Sequence, residues 1–281
     1  MIKYLYYEIL YDAKIMIWLF LTSHEMPMPK GCYNLIFNLN YNIISKNISL
    51  VDEPNFGEYN KNIICDLIRN VDLVFSRCLC IEPFSSKECV IMYNHDVPMC
   101  CNSPVRREIY LAIKGNYWCQ WIYQFAHEYC HHLIDGKMIP NFKGLFWFEE
   151  AVCELASIFH LNRMGEYCFQ SPKLAHYAPS VAIYLSDLLT KNNNLVESFR
   201  LTKLQPWKEL LQEKVYHRNL YNAIAVVMFP YFEENPHLWK IIRNFGDMKE
   251  QTSLEELFAH LEEQATSDYI HSLKQLKASL L

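Results

Sequence analysis

The 281-residue sequence has no CxxC pair, no dense run of lysine and arginine, no internal repeat and no low-complexity tract. Its eleven cysteines are odd in number, and none lies beyond Cys168. A secreted disulfide framework needs signal-peptide context and an even, regularly spaced set, so reduced thiols in a cytoplasmic protein are expected. Cys78 and Cys80, or Cys100 and Cys101, offer thiolates at short spacing, but structural zinc knuckles repeat CxxC-like pairs, and these do not. The formal net charge of −5 and the missing basic block argue against nucleic acid or an anionic membrane as partner. The most apolar stretch, Ile15–Leu21, is far too short to span a bilayer. It follows Glu8, Asp12 and Lys14 and lacks a small-residue cleavage site, so a buried element is expected there rather than a leader.

What is present divides the chain into three. Residues 1–87 read as an α/β segment: β-prone runs over 33–51, then apolar spacing through Ile63, Ile64, Leu67, Ile68, Val71, Val74 and Phe75 that predicts a helix over 58–77. Residues 88–135 hold two expected strands, Cys89–Tyr93 and Glu108–Ile113, joined by a loop through Pro98, Ser103 and Pro104, and then a helix over 117–134. Gly136 and Pro140 supply stop signals for that helix. Residues 136–281 read as helical, with segments over roughly 146–160, 173–190, 205–214, 218–234, 236–245, 254–264 and 266–280. The pattern predicts an α+β unit: a mixed sheet and one helix in the first lobe, helices in the second, a cleft between.

The chemistry concentrates in His127-Glu128-Tyr129-Cys130-His131, an HExxH motif within the expected helix. Residues four apart share a helical face, so both imidazoles can reach one ion. Glu128 is swung about 100° around the axis. From there its carboxylate addresses a water without ligating metal. Zinc brings the pKa of such a water toward about 7, and a neighbouring carboxylate takes the proton. Phe125, Ala126, Leu133 and Ile134 give the helix a side to bury, and His132 is expected at the surface or supporting the site rather than ligating.

A catalytic zinc needs a third protein donor and one open position. Eighteen residues separate His131 from Glu150, enough for a turn and a returning helix. Glu149 is the neighbouring alternative. Glu154 lies one turn beyond Glu150 and could accept the free N–H of a coordinated imidazole. These acids sit among Trp147, Phe148, Val152, Leu155 and Ala156, and carboxylates in apolar company call for a cation.

The HExxH motif followed by Trp147-Phe148-Glu149-Glu150-Ala151 resembles the gluzincin superfamily of zinc metallopeptidases, above all its aminopeptidase branch. The resemblance covers residues 88–245. It implies a zincin-like fold, a Zn2+ cofactor, a peptide or protein substrate, Glu150 as ligand and Glu154 as the acid supporting the first histidine. It also implies that Arg107–Ile113 is an edge strand pairing with extended substrate. Tyr221 opens a segment similar to the family helix whose tyrosine stabilises the oxyanion, with Tyr216 the alternative and His217 a more distant one. The family's Gly-x-Met-Glu-Asn exopeptidase motif is absent, so nothing marks a pocket for a free amino terminus. A regulatory protein that keeps the zinc without turnover is the rival reading.

Overall fold

The β-prone sequence Asn42–Val51 carries Asn and Ser-Lys-Asn at its middle, and it folds as a hairpin: β1 (Tyr41–Ile43) pairs antiparallel with β2 (Ile48–Val51). Fully buried β2 then pairs in parallel with β3 (Glu88–Tyr93), and β3 in parallel with β5 (Arg106–Leu111). The sheet closes with β4 (Met99–Asn102), antiparallel to β5, giving the order β1-β2-β3-β5-β4. This computed structural model describes residues 41–80, 88–102, 106–134, 145–212, 216–247 and 253–281. The runs Ile15–Leu21 and 33–39, and the stop signals at Gly136 and Pro140, lie outside the described residues.

The fold is α+β: among the described residues, five strands form one mixed sheet and helices make up most of the rest. Helix α1 (Lys61–Leu79) crosses between β2 and β3 and buries Ile64, Leu67, Ile68, Val71 and Phe75. After the sheet come α2 (Trp118–Leu133), α3 (Phe146–Gln170), α4 (Ala178–Thr190), α5 (Asn193–Thr202), α6 (Lys208–Gln212), α7 (Arg218–Glu234), α8 (Leu254–Gln264) and α9 (Ile270–Leu280). A 3-10 segment, Pro236–Asp247, joins α7 to α8. No helix among the described residues is long and apolar enough to cross a membrane.

Three expectations change. Arg107–Ile113 is no edge strand: β5 is paired on both sides, and the edge belongs to β4, which sits in the stretch expected to be loop. Four residues around two cysteines carry too short a pattern to announce a strand. Helix α3 runs ten residues past 160, because it is buried on nearly every side and no amphipathic boundary marks its end. Residues 193–202, between two segments expected to be helical, form the further helix α5.

Helix α2 is pinned from several directions. Trp121 Nε1 donates to the Gly115 carbonyl at 2.9 Å, and Gly115, at φ +66°, donates its own N–H to the Phe56 carbonyl at 2.7 Å. That left-handed conformation suits glycine. Gln124 Oε1 accepts from the Ala112 amide at 2.9 Å, tying α2 to the strand ahead of it. Tyr129 donates to Asp72 of α1 at 2.7 Å, and Ser157 of α3 donates to the Tyr123 carbonyl at 2.8 Å. At the last turn, the buried Arg107 guanidinium donates to the His132 carbonyl, placing a cation where the helix dipole is negative. His132 is therefore not a surface residue; it is buried, stacked on Tyr129 with ring centroids 5.2 Å apart.

Candidate metal centre

His127 and His131 stand one turn apart on α2, their ring centroids 5.2 Å apart. Helix α3 packs along α2 and presents Glu149, Glu150, Cys153 and Glu154, all buried. Glu150 Oε2 lies 3.3 Å from His127 Nε2, and Glu150 Oε1 lies 3.5 Å from His131 Nε2. Donors about 2.0–2.1 Å from a tetrahedral ion stand about 3.3 Å apart, so these spacings are those of ligands around one small cation. The neighbouring carboxylate does something else: Glu149 Oε1 meets His131 Nδ1 at 2.7 Å. That contact fixes the ring and leaves Nε2 turned toward Glu150.

Glu154, expected to support an imidazole, accepts from the Tyr123 hydroxyl and lies 3.6 Å from Arg218 Nε. Arg218 also donates to the Tyr123 hydroxyl at 3.4 Å. The acceptor for an imidazole N–H is thus Glu149, while Glu154 anchors a Tyr123–Arg218 group at the start of α7. Neither Tyr123 nor Arg218 stands out in the sequence, because their roles arise only when α7 is brought beside α2 and α3.

Of the two tyrosines, Tyr216 donates its hydroxyl to Glu150 and is half exposed. Tyr221 is buried, and its ring meets that of Tyr216 edge to face at 5.2 Å. The charge of Glu150 reaches both phenols. Ligand atoms of His127, His131 and Cys153 also all lie within 4.8 Å of one another, a sulfur that the sequence gave no reason to select. Glu150 stands closer to both imidazoles than that bound requires.

Charge is concentrated here. Glu128, Glu149, Glu150 and Glu154 are all buried, facing the two imidazoles and the Arg218 guanidinium. Burial pushes the Glu128 carboxyl above its usual range; the histidines pull it back, and Glu150 and Glu154 push it further up. Burial alone would depress His127, but its bond to Glu150 and the charges of Glu128 and Glu154 overcome this and raise it. His131 is raised in the same way, chiefly through Glu149. Burial works to raise Glu150, yet the two histidines and Tyr216 hold it below the ordinary value. The carboxylates draw positive charge onto the imidazoles, which is the electrostatic demand a dication would meet. The donor set, two nitrogens and a carboxylate, suits zinc.

No protein-family model, curated protein or solved structure matches this chain.

Proposed function

We propose that this protein is a zinc-dependent peptidase with a zincin-like fold of the gluzincin type. His127, His131 and Glu150 would hold the ion and Glu128 would act as general base. The observation that carries the reading is the pair of spacings, 3.3 and 3.5 Å, between the Glu150 oxygens and the two Nε2 atoms. Zinc bound there supplies Lewis acidity, bringing the pKa of water down to about 7 and polarising a carbonyl.

The chain's own groups do the rest. Glu128 is two-sided in its surroundings: apolar burial raises its proton affinity while the imidazoles keep it ionisable, which suits a group that accepts a proton from water and returns it to a leaving amine. Glu149 holds His131 in one tautomer. The oxygen that becomes negative as the amide is attacked would accept from Tyr221, as the resemblance implies, or from Tyr216 beside Glu150, whose O–H would then turn from that carboxylate. Strand β4 packs against α2, which carries the base, and is the last strand of the sheet among the described residues, so an extended peptide could align along it.

The test is Glu128→Gln measured against a peptide library. The variant keeps one equivalent of zinc and loses at least about a hundredfold in kcat/KM, whereas His131→Ala loses both metal and turnover. Undiminished hydrolysis by Glu128→Gln removes Glu128 from the mechanism.

A further inference from the structure

On α3, at 100° per residue, Cys153 points between Glu149 and Glu150 and one turn deeper. Both flanking carboxylates meet imidazoles. The sulfur lies at the floor of the same cluster, within 4.8 Å of a nitrogen of His127 and of His131. It is fully buried and hydrogen-bonded to Cys130, which α2 inserts between the two histidines in sequence.

We propose that Cys153 is a further protein donor to this centre, recruited by thiophilic divalent ions such as cadmium. The proposal rests on the reading that His127 and His131 hold a metal. A sulfur about 2.3 Å and a nitrogen about 2.0 Å from one ion are about 3.5 Å apart, so from 4.8 Å an approach of at most about 1.3 Å completes the set. Coordination replaces the S–H bond with a sulfur–metal bond; the proton leaves to solvent, and nothing is oxidised or reduced. With Glu150 retained, the ion then has four protein donors and no position left for water, the arrangement of a closed site rather than a catalytic one. Soft ions therefore occupy the centre as inhibitors, while zinc, satisfied by nitrogen and oxygen, leaves the sulfur protonated.

The experiment is titration of the purified full-length chain with Cd2+ and, separately, Zn2+, following near-ultraviolet sulfur-to-metal charge-transfer absorption and bound metal together. The wild type gives a charge-transfer band that saturates at one equivalent of Cd2+. Cys153→Ala and Cys153→Ser lose the band and bind Cd2+ at least about tenfold more weakly, yet still take up one equivalent of Zn2+. Because the chain has ten other cysteines, His131→Ala must lose the band as well. A wild type that binds one Cd2+ without the band overturns the proposal, as does a band that persists in both Cys153 variants with native circular dichroism. If neither ion binds stoichiometrically, the zinc reading itself fails, and the metal count reveals this independently of the band.

Discussion

Adjacent residues of one type do different work in this centre. Glu149 and Glu150 are both buried on α3, but a 100° step sends one to His131 Nδ1 and the other across both Nε2 atoms. The sequence left these two as alternatives, since composition cannot say which of two neighbours faces α2. On the opposite side of α2, Asp72 is buried and accepts from Tyr129, in a pocket whose electrostatics also involve Cys89 and Arg107. Burial pushes its carboxyl up to about 6, with the Tyr129 bond opposing. Between the ordinary value of 3.8 and about 6 the native state holds the proton more tightly than the unfolded chain, so this residue's contribution lowers stability as pH rises through that window and is constant above it. Asn keeps an acceptor for Tyr129 without the charge. Denaturant titrations of Asp72→Asn and wild type should diverge between pH 4 and 6, with the variant gaining up to about 3 kcal/mol relative to wild type. Parallel profiles would mean that Asp72 does not titrate in that range.

At the scale of elements, α2 was the most readable piece, expected over 117–134 and observed at Trp118–Leu133. Its apolar face and its stop signals both reported on the same boundaries. Helices 218–234 and 254–264, expected from their helical patterns, are observed with the same bounds. Strand β4 was not, because four residues at a sheet edge carry no period that distinguishes them from loop. Nor was the grip on the end of α2. Arg107, which the resemblance puts in an edge strand pairing with substrate, lies buried under that helix and donates to the His132 carbonyl. Replacing it with Met keeps much of the stem's volume but leaves the carbonyl without its charged donor. Arg107→Met should cost about 1.5–3 kcal/mol by denaturant titration, with faster amide exchange in the last turn of α2. An unchanged midpoint would show that the last turn holds without the guanidinium.

For the molecule as a whole, the sequence division at residue 87 does not separate structural layers, because β2 and β3 pair in parallel across it and α1 packs against α2. What the sequence could supply was the pair of segments that carry donors; what it could not supply was the part of Arg218, which the start of α7 brings to Glu154 and Tyr123. The centre joins α2 and α3 across the interior, so an ion there would bind the folded chain far more tightly than the unfolded one and couple its loss to unfolding. The most direct measurement is the zinc content of the purified chain beside that of Glu150→Ala. The account predicts one equivalent in the wild type and its loss in the variant, with a lowered Tm on chelation in the wild type only. Less than about half an equivalent in the gently purified wild type, or full retention by Glu150→Ala, would contradict a centre built from His127, His131 and Glu150.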